Sequence, residues 1–261
     1  MELDKKLYHY TSADGLLGMM DGEIWSSQIQ YMNDNKEWEH GFDLAWPAIK
    51  KLQASRDRKI ASIADNLIMN VRPESTMSRT FVFSLTEAPD LLSQWRGYCH
   101  DGGFCVGFDK SKIESTDSFR GFKLKRCVYS DVEKNEVINS IIQKYVDKYY
   151  DIELDEVNRK KLIVESTAEF RELACYFKHS IFSEEKEWRL FGTVSVNDNR
   201  SAWRARGNLP MPFVKHKIDF FSMVDEIIVG PKVDYRLAEH SIYFKAYGHK
   251  IDIKKSRSTL V

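Results

Sequence analysis

Short runs of β-type residues recur from one end of this 261-residue chain to the other: LYHYTS from Leu7, EIWSSQ from Glu23, RTFVFSLTE from Arg79, GGFCVGFD from Gly102, EKEWRL from Glu185, DEIIVGP from Asp225 and HKIDIKK from His249. Turn formers bound most of them. Any sheet built from these runs must join segments that are far apart in sequence. Helical patterns lie between them. One region runs towards Val71 and is interrupted near Pro47. Two more cover roughly Val132 to Tyr149 and Leu154 to His179, and shorter ones fall at ADGLLGMM, LLSQWRGY and Tyr235 to Ile242. Such a mixture predicts an α+β fold around a mainly antiparallel sheet. With no internal repeat, low-complexity tract or linker, residues 1–261 read as a single domain.

Period-two alternation assigns faces within a strand. Leu7, His9 and Thr11 share one side of the first strand, with Tyr8 and Tyr10 on the other, and Ser12 caps the helix that follows. From Glu185 the alternation puts Trp188, Leu190 and Val194 on one side and Glu185, Glu187 and Arg189 on the other. In the second long helix Val157, Leu162, Val164, Phe170, Leu173 and Phe177 approximate one apolar face.

Composition narrows the function. Lys plus Arg equals Asp plus Glu at 39 each, so no global field draws the chain to nucleic acid or an anionic membrane, although Lys123, Lys125 and Arg126 form a local basic patch. The start MELDKKLYHY lacks a signal-peptide core, and no apolar run nears the roughly 18 residues a membrane span needs, so a cytoplasmic protein is expected. Cys99, Cys105, Cys127 and Cys175 form no CxxC pair and read as reduced, buried small hydrophobes, and no metal site is expected. Neither GxxxxGK[ST] nor GxGxxG is present.

Two clusters remain. Around His9, Tyr8, Tyr10, Thr11 and Ser12 mix hydroxyls with aromatic rings, a combination suited to hydrogen-bonding a ribose while stacking a flat ring. A lone strand His is more often a hydrogen-bonded structural residue than a ligand contact. Glu185 and Glu187 put two carboxylates roughly 7 Å apart beside Arg189. They serve either as a solvated, ion-paired strand face or as a catalytic carboxylate with a supporting neighbour. In SQWRGYCHDGGF, Trp95 and Arg96 precede a Gly pair, and the alternative there is a helix end that packs Trp95 into the core.

Taken together, LYHYTS, WSS, YMND, FSLTEAPDLLSQWRGYCHDGGFCVGFD, EKEWRL and DEIIVGP resemble the sequence blocks of the bacterial DUF2971 family. Their order is similar, more distantly, to that of ADP-ribosyltransferases. This resemblance implies a split antiparallel sheet with helical insertions, NAD as substrate and transfer of ADP-ribose to a macromolecular acceptor, protein or nucleic acid, in bacterial anti-phage defence or as a toxin. It makes Glu187 the catalytic carboxylate, with Glu185 as the first acid of an ExE pair. His9 becomes a contact to the NAD ribose or nicotinamide amide, with Tyr10, Thr11 and Ser12 nearby. Ser84 or Tyr31 fills the middle position, and Trp95 and Arg96 close the site, Arg96 on the pyrophosphate. His9 and Glu187 are then expected to line one concave site. The alternatives are an NAD glycohydrolase and a non-catalytic NAD- or ADP-ribose-binding module.

Overall fold

The computed structural model describes residues 6–32, 35–71, 79–151, 156–195 and 198–258. Ten strands form one sheet: β1 (Lys6–Thr11), β2 (Glu23–Gln28), β3 (Thr80–Thr86), β4 (Phe104–Asp109), β5 (Lys123–Arg126), β6 (Glu187–Thr193), β7 (Ser201–Arg206), β8 (Leu209–Lys217), β9 (Val224–Val229) and β10 (Asp252–Lys255). Nine helices accompany them among the described residues: α1 (Ala13–Met20), α2 (Asn35–Gln53), α3 (Arg58–Val71), α4 (Leu92–Tyr98), α5 (Lys110–Ser115), α6 (Asp131–Asp151), α7 (Glu156–Tyr176), α8 (Phe220–Met223) and α9 (Tyr235–Lys245). The fold is α+β with a large, mostly antiparallel sheet, as expected.

The chain forms two compact units interleaved in sequence. All ten strands belong to the first, built from Met1–Gln28, Arg79–Arg126 and Glu185–Val261. Ile29–Ser78 and Cys127–Glu184 make the second, in which α2 packs on α3, α6 and α7.

Within the sheet unit the strand order is β10-β9-β4-β1-β3-β2-β8-β7, with β6 on β3 and β5 on β6. Every ladder is antiparallel except that of β9 with β10. The sheet branches at β3. Its Thr86 end meets Tyr8 of β1, its Phe81 and Val82 end meets β2, and β6 pairs with it from Thr80 to Thr86. One face carries the main apolar core, in which Leu7, Phe83, Leu85, Val106 and Leu190 meet Leu16 of α1 and Ile242 of α9. The opposite face carries a smaller cluster of Tyr8, Tyr10, Trp95, Cys99, Cys105 and Ile228.

Local chemistry sets several ends. Ser12 caps α1 by accepting from the Gly15 amide at 3.2 Å, and Gly22, at φ 90°, turns the chain into β2. Asp234 caps α9 in the same way through the Leu237 amide. The helical region near Pro47 departs from expectation: α2 runs through Pro47, and the break falls at 54–57 instead. Asp57 there accepts from the Lys59 amide at 2.8 Å and starts α3. In α7, Leu162, Phe170 and Leu173 are buried, but Val157 and Val164 are 73% and 68% exposed. The core stripe includes Ser166 in their place, a polar position that an apolar pattern passes over. The hairpin of β7 and β8 has no counterpart in the sequence reading. Pro210 and Pro212 disguise β8 as a non-strand, yet both lie where β7 alone pairs with it.

Candidate functional site

The strand registers decide which candidate residues meet. Tyr8 stands opposite Thr86, and Thr86 opposite Glu187. Residues paired across neighbouring strands share a face, so Tyr8, Thr86 and Glu187 look the same way, together with Tyr10, Ser84 and Arg189. His9 pairs with Val106 and looks the other way, with Thr11. His9 and Glu187 therefore occupy opposite faces of the sheet, and the shared concave site expected for them is not formed. Alternation within β1, and within β6 from Glu187 onward, is as expected. The fault lies in the parity with which β1, β3 and β6 are joined.

His9 is partly buried and stacks on Phe83, with ring centroids 4.3 Å apart. Its Nδ1 lies 2.8 Å from the Ser84 carbonyl. Burial pushes the imidazole down to about 4, against the smaller opposing pull of that bond. The ring is neutral at neutral pH, so Nδ1 carries the proton and donates it to Ser84. It fastens β1 to β3 at the branch of the sheet.

Glu187 and Arg189 are buried, at 5% and 2% exposed. The guanidinium holds the carboxylate in a fork, Nε to Oε1 at 2.8 Å and Nη2 to Oε2 at 3.1 Å. Ser84, directly across from Arg189, sits diagonally from Glu187, a relation that puts Cα atoms about 7–8 Å apart. Its buried hydroxyl has no hydrogen-bond partner. The neighbouring hydroxyls are engaged. Thr86 Oγ1 donates to the Glu185 carbonyl at 2.5 Å and accepts from the Ala88 amide at 2.9 Å. Tyr10 donates to the Ala88 carbonyl at 3.0 Å and accepts from the Leu91 amide at 2.7 Å.

Glu185 does not continue the alternation. It closes a 3-10 turn, Ser180–Glu185, and Lys186 follows at φ 44°, so β6 starts at Glu187 and the ExE pair does not share a strand face. Trp95 is wholly buried, edge-on to Tyr10 with centroids 4.7 Å apart, and its Nε1 donates to Asp90 at 2.8 Å. Gly230 lets it sit there, because a Cβ at 230 would lie 2.8 Å from the indole. Arg96 is exposed. Tyr31 ends a 3-10 turn in the helical unit.

The sequence reading missed a second buried carboxylate on the Glu187 face. Glu226 is 5% exposed and takes Lys254 at 2.6 Å and Lys6 at 3.5 Å. Tyr8 lies on the same face, and burial, followed by the Glu226 charge, holds the phenol far above its ordinary pKa. Gly107, opposite Tyr8 and Glu226, makes room: a Cβ there would lie 3.0 Å from the Tyr8 ring and 3.3 Å from the Glu226 Cβ. An acid at the start of DEIIVGP looks solvated, and the facing residue that buries it lies more than two hundred positions away. All four cysteines are buried and none is in a disulfide. Among the described residues no helix is long and apolar enough to cross a membrane, and no cluster of His, Cys, Asp or Glu could hold a metal ion.

Residues 94–190 match the family described as "Protein of unknown function (DUF2971)", in line with the resemblance noted in the sequence. No curated protein and no solved structure matches the chain.

Proposed function

We propose that the Glu187 face handles NAD, and that the chain transfers ADP-ribose from it to a macromolecular acceptor. One observation carries this reading: a buried carboxylate, oriented by the Arg189 fork, shares its face with a buried Ser84 hydroxyl that lacks a partner. An unsatisfied buried hydroxyl costs about 1–3 kcal/mol, and a ribose hydroxyl is a partner that would relieve it. A carboxylate has about four lone-pair positions, so an oxygen held by Arg189 retains acceptor capacity. In this role Glu187 accepts from the nicotinamide ribose and stabilises the positive charge that develops as the glycosidic bond opens. His9 takes no part, and the likeness to an ADP-ribosyltransferase fold is part of the proposal.

A second reading has its own observation. Both Glu187 oxygens meet Arg189 and both residues are buried, as in an ion pair that only ties β6 in place. Glu187→Gln separates the two, since the amide keeps size and an acceptor oxygen. With labelled NAD and separate pools of protein, DNA and RNA, cleavage by the folded variant should fall roughly 100-fold while NAD binding survives. Full turnover by that variant would sink the transferase reading. NAD loss by the unaltered protein without acceptor labelling would indicate a glycohydrolase, and protection from unfolding by NAD without turnover a binding module.

A further inference from the structure

On the sheet unit, far from the Glu187 face in chain position, a stripe of rings stands in solvent. His240, Tyr243, Phe244 and Tyr247 follow the i, i+3, i+4, i+7 spacing of one helix side along α9 and its last turn. Tyr243 is 50% exposed, Phe244 81% and Tyr247 89%. The other side of α9 is anchored, with Ile242 and Ala246 in the main core. Beside the stripe lies an open groove of about 750 Å³ lined by Tyr243, Gly248, His249, Lys250, Ile251 and Asp252. His249 is held flat on Phe221, 3.9 Å between ring centroids.

This part of the chain breaks the overall neutrality. Residues 235–258 hold six Lys or Arg against two Asp or Glu, in a chain whose formal net charge is zero. Lys245 and Lys254 are engaged by Asp21 and by Glu226. Arg236, Lys250 and Lys255 are exposed and have no side-chain partner among the described residues. Lys255 alternates with Lys254 on β10 and so lies on the side of the sheet that α9 covers.

We propose that this surface binds single-stranded nucleic acid, with bases stacked on Tyr243, Phe244 and Tyr247 and phosphates met by Arg236, Lys250 and Lys255. Exposed rings beside exposed Lys and Arg side chains are the two parts that sequence-tolerant single-strand binding requires. The net positive charge of residues 235–258, with Arg236, Lys250 and Lys255 exposed among the rings, is complementary to a phosphate chain. The inference does not depend on NAD chemistry.

The test is fluorescence anisotropy of the full chain with a labelled 12-nucleotide oligothymidylate and with a duplex of equal length. Single-strand binding should be the tighter, and three phosphate contacts predict about a 20-fold loss between 50 and 200 mM salt. Phe244→Ala and Tyr247→Ala, at positions too exposed to disturb folding, should each weaken it about 5-fold or more. Lys250→Gln should weaken binding and reduce the salt slope. Equal affinity for duplex and single strand, unmoved by the ring variants, would overturn the proposal. So would an absence of oligonucleotide binding together with self-association in sedimentation that Phe244→Ala abolishes, which would give the surface to a second copy.

Discussion

The two faces of β1 differ in kind. On one, His9 stacks on a core phenylalanine beside Leu7, and burial keeps its ring uncharged. On the other, charge is retained and paired: Arg189 forks onto Glu187, and Glu226 gathers Lys6 and Lys254. A buried polar group is thus accommodated in two ways, by losing its charge or by being given a partner. The Ser84 hydroxyl has neither remedy, and in the proposed function a ribose hydroxyl would supply the partner.

The largest effect is expected from Arg189→Ala, which leaves the Glu187 carboxylate buried without its fork. Chemical denaturation should show a loss of about 3–5 kcal/mol, and adding Glu187→Gln should restore a good part of it. A loss below about 1 kcal/mol would mean that water reaches the carboxylate.

Gly107→Ala attacks the second carboxylate through packing. Its Cβ would push into the Tyr8 ring and against the Glu226 Cβ, for an expected cost of about 1–3 kcal/mol. Tyr8→Phe, which keeps the ring and its packing, should cost less, about 0.5 kcal/mol.

The uncharged face is tested by pH. His9 and the core residue His216 are both depressed to about 4 by burial, whereas in the unfolded chain they titrate near 6.5. Between those values the unfolded chain binds more protons. Their contribution is therefore complete above pH 6.5 and is lost as the pH falls through 4. Stability measured at pH 7.5 and pH 5 should differ by on the order of 1 kcal/mol or more, and His9→Gln should flatten the slope. An unchanged slope in that variant would show that the His9 ring is open to water.

The smallest effect is expected from Ser84→Ala. Removing a hydroxyl that bonds to nothing should leave stability within about 0.5 kcal/mol or raise it slightly. On the NAD reading the same variant should bind NAD several-fold more weakly, a split between stability and binding that an idle hydroxyl would not produce.

Much of this was written locally. Alternation placed Tyr8 and Tyr10 opposite His9, DEIIVGP and HKIDIKK announced β9 and β10, and Ser12 was identifiable as a cap, because each depends on residues a few positions apart. The β7–β8 hairpin was less legible, since its prolines argue against a strand until the unpaired edge is known. The candidate site was misjoined for a different reason. A strand's own pattern says which residues share its face, but not which face of a remote strand will lie beside it, and a shift of one residue reverses the answer. The pairing of Tyr8 with Thr86 and of Thr86 with Glu187 made that choice. It is set by how whole strands pack and saturate their backbone hydrogen bonds, over separations of 78 and 101 residues that no local pattern spans.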